Sequence, residues 1–264
     1  RLELLECEIK NERLVLLQLH GGGYIGGMRN AYRSFAGLYS ELGRGMSVLT
    51  VDYRVAPEHP YPAALEDAIT GYNWLLQAGW QEHEIVVAGD SAGGGLALAL
   101  CMYLKNQNRK LPAGLICMSP WTDLTQSGAS YDFNYERDPL FGNTRDSLIY
   151  SKDYIQDEDP TNPYISPLYG NFSGFPPMLI QVGSYEMLLS DSELVAEKAK
   201  RAGCKVRLSV YEGMFHIFQM AMLMIRSPSM PGRRSDVFWI LWNIIFQQSI
   251  WMRKIKRLSP NLEK

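Results

Sequence analysis

Short apolar runs alternate with helix-patterned stretches along most of the chain, and that alternation leaves few folds open. Residues 13–20 (RLVLLQLH) read as a buried strand running into Gly21-Gly22-Gly23. Further apolar runs at 47–53, 84–88, 115–119, 178–182 and 206–211 read the same way. Helical stretches fall between them at 31–42, 62–78, 92–105 and 192–202. The expected architecture is α/β, a mostly parallel central sheet flanked by helices, in one unit spanning residues 1–264. Ser190 and Glu193 have the spacing of a capping box for the last of these helices. Residues 126–167 break the alternation. They are polar, aromatic and proline-punctuated and offer no strand, which marks a lid or cap insertion, with a solvated excursion as the bland alternative.

A chain of 264 residues that is 46% hydrophobic and 20% charged can bury a sizeable core. Its 26 basic and 28 acidic side chains nearly balance at −2, and no basic patch stands out, which argues against nucleic acid as a partner. Cys7, Cys101, Cys117 and Cys204 are widely spaced and form neither a disulfide framework nor a zinc pattern. A reduced, cytoplasmic compartment fits them. The first residues do not read as a signal peptide. The apolar stretch at 237–246 is too short to span a bilayer. Its basic flanks (Arg233, Arg234, Arg253, Lys254) suit either a docked C-terminal helix or one lying on a membrane surface.

Gly89-Asp90-Ser91-Ala92-Gly93 is a G-x-S-x-G sequence between an expected strand and an expected helix. Glycines on both sides permit a sharp turn that lifts a serine hydroxyl above the sheet, and the helix start behind it favours negative charge. The pentapeptide alone is a weak signal; its context gives it weight. His20-Gly21-Gly22-Gly23 follows the first expected strand, where bare backbone amides can approach a substrate and hold an oxyanion. A phosphate loop fits poorly, because no Lys-Ser/Thr follows the glycines.

A serine nucleophile needs a base, and the chain has four histidines. His20 belongs to the glycine loop, His59 to a proline-bounded turn and His83 to a charged connection, which leaves His216 just past the last expected strand. The acid must lie between Ser91 and His216 at a strand end. Glu186 follows the strand at 178–182. Asp191 is the competitor, though its place in the first turn of a helix suits the helix dipole.

These residues, together with the run from Asp52 to Asp67 (DYRVAPEHPYPAALED), Asp138-Pro-Leu140, Ser166-Pro-Leu168 and the stretch from Phe175 to His216, resemble the hormone-sensitive-lipase-like esterases. This group is also called family IV of the bacterial lipolytic enzymes and has the α/β-hydrolase fold. The resemblance runs from Leu14 to about Met220. It implies hydrolysis of short- to medium-chain acyl esters without a metal or organic cofactor. It places the nucleophile on Ser91, the base on His216, and the oxyanion donors on the amides of Gly22, Gly23 and Ala92. The family's usual acid is an Asp, and Glu186 stands in its place. Arg54, Glu58 and Asp67 are expected to be scaffold, forming ion pairs and turn contacts. Tyr24, Trp121 and Phe215 are expected pocket walls, each equally suited to the core. Relatives carry a longer segment before the glycine loop, so here either the cap comes mainly from 126–167 or part of it lies outside this sequence. They also dimerise near the C-terminal strand and helix, which makes a homodimer an expectation by analogy. A catalytically silent receptor, or a peptidase or amidase, on the same fold are the rival readings.

Overall fold

The structure is a computed structural model that describes residues 1–7, 11–142 and 151–220. The apolar stretch at 237–246 and its basic flanks lie outside the described residues. Seven strands are present: β1 (Leu2–Leu5), β2 (Asn11–Leu19), β3 (Met46–Val51), β4 (Ile85–Asp90), β5 (Gly114–Met118), β6 (Met178–Gly183) and β7 (Val206–Tyr211). They form one sheet in the order β1-β3-β2-β4-β5-β6-β7. Strand β1 runs antiparallel to β3, and every other neighbouring pair is parallel.

Side-chain alternation along the strands splits the core into two layers. Val15, Leu17 and Leu19 of β2 join Val87, Cys117 and Ile180 on one face. Leu16 joins Val48, Val86, Ile116 and Leu179 on the other. The first layer is covered by α2 (Ala63–Gln77), α3 (Ala92–Asn106) and α6 (Leu189–Arg201). The second is covered by α1 (Asn30–Leu42). In α1, Tyr32, Phe35, Ala36 and Tyr39 are buried, an i, i+3, i+4, i+7 stripe that turns one helix face to the sheet. Helix α3 is different: Ala92 to Met102 and Leu104 are all buried, so it is apolar all round and lies inside the molecule.

After β2 the chain moves outward to β3 and then returns to place β4 on the opposite side of β2. Connections that diverge in this way leave a crevice at the carboxyl ends of the two strands. The register aligns those ends: Leu19 pairs with Gly89, Asp90 with Met118, Met118 with Gln181, and Gly183 with Tyr211. The loops after β2, β4, β5, β6 and β7 therefore emerge along one edge of the sheet.

Residues 126–167 contain no strand among the described residues; they hold the short helices α4 (Ser130–Phe133) and α5 (Ser151–Ile155). The capping-box expectation fails. Helix α6 begins at Leu189 with Leu188 at its N-cap and has no side-chain cap. Ser190 is instead spent on a reciprocal pair with Ser130, each backbone N–H donating to the other's hydroxyl at 2.8–2.9 Å, which ties α4 to α6.

Candidate active site

The turn between β4 and α3 holds Ser91 at φ 52°, ψ −124°, a conformation a serine adopts only under constraint. Four main-chain hydrogen bonds supply the constraint. Ser91 N–H donates to the Met118 carbonyl at 2.9 Å, and the Ser91 carbonyl accepts from Gly94, Gly95 and Trp121 at 2.9–3.1 Å. The glycines are needed for contact: a Cβ on Gly89 would run into the Gly93 carbonyl, and one on Gly93 into the carbonyls of Leu19 and His20. Helix α3 can therefore approach the sheet closely enough to aim its N-terminus at the crevice.

The glycine loop lies beside this turn. Gly22 (φ +123°) and Gly23 (φ +63°) take backbone conformations that suit glycine, and the Gly22 carbonyl closes the loop by accepting from Ile25 and Gly26. Among the described residues, no acceptor matches the amides of Gly22, Gly23 or Ala92. His20 is buried and stacked on Tyr53 at 3.9 Å, and its Nδ1 lies 2.7 Å from the Gly21 carbonyl. A carbonyl only accepts, so Nδ1 carries the proton. Burial holds the His20 pKa below its ordinary value, against that hydrogen bond. Asp90, next to the serine, accepts from Gly21 N–H (3.2 Å) and from the Tyr32 hydroxyl (2.9 Å), which joins loop, turn and α1. Burial pushes the Asp90 carboxyl up to about 6, with the Tyr32 hydrogen bond and nearby His216 opposing it.

His216 and Glu186 meet directly. Glu186 is fully buried behind β6, and its Oε2 lies 2.9 Å from His216 Nδ1. Its Oε1 accepts from Gly183 N–H at 2.5 Å and from the Ser119 hydroxyl at 2.8 Å. The loops bearing the two residues are stitched together, since Ser184 N–H donates to the Tyr211 carbonyl and Tyr185 N–H to the Met214 carbonyl. Asp191 is elsewhere. Its Oδ2 accepts from the amides of Thr122 (2.7 Å) and Asp123 (2.8 Å), so it clamps the loop after β5 rather than serving only the helix dipole. Burial pushes its carboxyl up to about 7.

Of the three expected pocket walls, Tyr24 and Trp121 are buried in the core layer beside the loop. Tyr24 stacks on Tyr154 of α5 at 3.9 Å, and Trp121 lies alongside Gly23. Phe215 is half-buried and packs against the α1-side layer. Arg54 pairs with Asp67 and Glu66 at 2.9 Å, as scaffold should, while Glu58 is exposed and outside that pair.

Four residues escaped the sequence reading. Ser119 contacts Glu186, as described. Asn134 donates to the carbonyls of Ser184 and Glu186 at 2.9 and 2.8 Å. Asp138, noticed only as part of a motif, accepts from Met187 N–H at 2.8 Å and from the amides of Leu140 and Phe141. That brings the Phe141 ring to 4.7 Å from the His216 ring. Each contact spans tens of residues or more, except the Asp138 turn, so only the short D-P-L turn left a local signal.

A family profile described as alpha/beta hydrolase fold matches residues 16–220. An esterase of Acinetobacter venetianus is 41% identical over 210 residues, covering 78% of this chain and 68% of its own. The chain belongs to the hormone-sensitive-lipase-like esterases of the α/β-hydrolase fold. An acetyl-hydrolase of Streptomyces hygroscopicus is 39% identical over 203 residues, covering 77% of this chain and 67% of its own. The chain thus spans about two thirds of the length of these two curated relatives. Among solved structures, an esterase/lipase from an uncultured bacterium superposes with a TM-score of 0.80 at 36% identity, covering 90% of this chain and 78% of its own. An esterase described as a member of the bacterial hormone-sensitive lipase family superposes at 0.79 and 35% identity, covering 92% of this chain and 81% of its own. In this α/β-hydrolase, no described helix is long and apolar enough to cross a membrane.

Proposed function

We propose that this protein hydrolyses short- to medium-chain acyl esters through an acyl-enzyme on Ser91, with His216 as base and Glu186 as the acid of the triad. The observation that carries the reading is the buried 2.9 Å contact between Glu186 Oε2 and His216 Nδ1. A carboxylate only accepts, so Nδ1 carries the hydrogen and Nε2 keeps the lone pair needed by a general base.

In this mechanism Ser91 Oγ attacks the ester carbonyl carbon while His216 Nε2 takes the hydroxyl proton. The carbonyl oxygen becomes an oxyanion held by the amides of Gly22, Gly23 and Ala92. Collapse of the tetrahedral species breaks the carbon–oxygen bond to the alcohol, which leaves with the proton from His216. Water then attacks the acyl-serine, giving its proton to His216 and releasing the carboxylic acid with Ser91 restored. Throughout, Glu186 holds the ring and balances the imidazolium.

The described residues of 126–167 act as a cap over this site within a single unit. Support comes from the Tyr154–Tyr24 stack, the Asn134 and Asp138 contacts, and Phe141 against His216. Tyr24 and Trp121 form the wall behind the glycine loop. The four cysteines are unpaired, which suits a reducing compartment.

The test is hydrolysis of p-nitrophenyl acetate, butyrate, octanoate and palmitate by wild type and Ser91→Ala, with the matching anilides alongside. The proposal expects acetate and butyrate to be cleaved fastest, anilides poorly, and a loss of about 10⁴-fold or more in Ser91→Ala. Faster anilide cleavage would make the protein an amidase. A folded wild type inert on every ester would leave a receptor.

A further inference from the structure

Ser119 lies just past β5 and is fully buried. It is a non-glycine residue at φ +46°, and its N–H donates to the Gln181 carbonyl at 2.6 Å. Its hydroxyl has two neighbours. Ile217 N–H lies 3.2 Å away, and Glu186 Oε1 lies 2.8 Å away. An amide can only donate, so the hydroxyl oxygen accepts from Ile217, and its single hydrogen is left for the carboxylate. Ile217 follows His216 directly and sits at φ +47°, a left-handed conformation that is a genuine outlier for a β-branched residue.

We propose that Ser119 is a positioning residue, one hydroxyl setting both the orientation of the Glu186 carboxylate and the path of the backbone that carries His216. With Gly183 N–H and the Ser119 hydroxyl both on Oε1, that oxygen is turned away from the imidazole and Oε2 is left to face Nδ1. The same hydroxyl pins the strained Ile217 amide, so a rotation of the carboxylate and a drift of the histidine loop are resisted by one atom. A buried serine needed only to fill space would require no such pair of partners. A glycine would sit at this φ with less strain. The inference rests on the Ser91–Glu186–His216 reading above.

The experiment measures kcat and KM on p-nitrophenyl butyrate for wild type, Ser119→Gly, Ser119→Ala, Ser119→Cys, Glu186→Gln and the double variant Ser119→Gly/Glu186→Gln, with thermal midpoints recorded for each. Ser119→Gly keeps the backbone conformation and removes the hydroxyl, so kcat should fall about ten- to a hundredfold, the range of a lost hydrogen bond to a charged group. KM should stay within about threefold, because the hydroxyl has no partner in the substrate. Ser119→Cys, with a weaker donor of similar size, should recover part of kcat. The double variant should be slower than Glu186→Gln by less than the loss that Ser119→Gly causes in the wild type, because only the Ile217 contact remains to be lost. If Ser119→Gly fails to fold, Ser119→Ala carries the same comparison. Wild-type kcat in the folded Ser119 variants beside a crippled Glu186→Gln would overturn the proposal, as would additive losses in the double variant. A Glu186→Gln enzyme with wild-type kcat would instead bring down the triad assignment itself.

Discussion

The two halves of the candidate site are built from different material. Around Ser91 the structure is main chain: four backbone hydrogen bonds hold the residue, and glycines let carbonyls approach where any Cβ would collide. Around Glu186 and His216 the main-chain ties between the two loops are supplemented by side chains: Ser119, Asn134 and Asp138 reach in from distant parts of the sequence to hold the loops in place. Main-chain construction is unforgiving of added atoms but indifferent to most neighbouring side chains. Side-chain construction fails by degrees, one hydrogen bond at a time.

That contrast can be broken by substitution. The largest effect belongs to Gly93→Ala, whose methyl would press on the carbonyls of Leu19 and His20. A loss of about 3 kcal/mol or more in urea unfolding, or no folded protein at all, is expected. A stable, active Gly93→Ala enzyme would show that the turn is less rigid than its contacts imply. Next comes Glu186→Gln, a change of similar shape that should fold normally yet lower kcat by about 10³–10⁴-fold, because the imidazolium loses its counter-charge and its tautomer. Asp138→Ala should cost less, about tenfold in kcat with a lowered thermal midpoint, since the Met187, Leu140 and Phe141 amides lose their acceptor. An unchanged kcat would detach the 126–167 region from the acid–base pair.

The smallest effect is on pH dependence. Asp191 sits at about 7 in the folded chain against an ordinary 3.8, so between those values the folded chain keeps a proton that the unfolded chain has released. Its contribution to stability is complete below about pH 4 and is lost as pH rises through 7. Asn at this position cannot ionise but still offers an acceptor to the Thr122 and Asp123 amides. The thermal midpoint of Asp191→Asn should therefore decline less between pH 4 and 7.5 than that of the wild type, with ester hydrolysis almost unchanged. Parallel declines would exclude Asp191 as a source of the slope and leave Asp90, pushed up to about 6, to account for it.

Legibility in the sequence followed the same divide. The parallel strands were readable to within about two residues because each is short and rich in apolar residues, as with β4 at Ile85–Asp90 against the expected 84–88. The glycine motifs were readable because backbone constraints leave a local mark. Strand β1 was not foreseen: four residues at a sheet edge, three leucines and one glutamate, carry too little pattern. Helices α4 and α5, of four and five residues, fall below any periodic signal. Ser190 misled because a serine near a helix start suits a cap, whereas here a partner 60 residues away claims it. Ser119 and Asn134 stayed invisible for the same reason. A hydrogen bond across such separations has no trace in the residues on either side of it.

Helix α3 gives the first half of the site a durability the second half lacks. Being apolar on every side and walled in by the sheet and α2, it has no exposed face along which to peel away, so no partial opening can release it. Amide hydrogens along its middle, from Ala97 to Leu100, should exchange with solvent only when the whole chain unfolds, while those of the loop at Met214 to Ile217 exchange through smaller, cheaper excursions. The anchorage of Ser91 then lasts as long as the fold does, and a warmed enzyme loses the alignment of its histidine first, recovering it on cooling without ever having come apart.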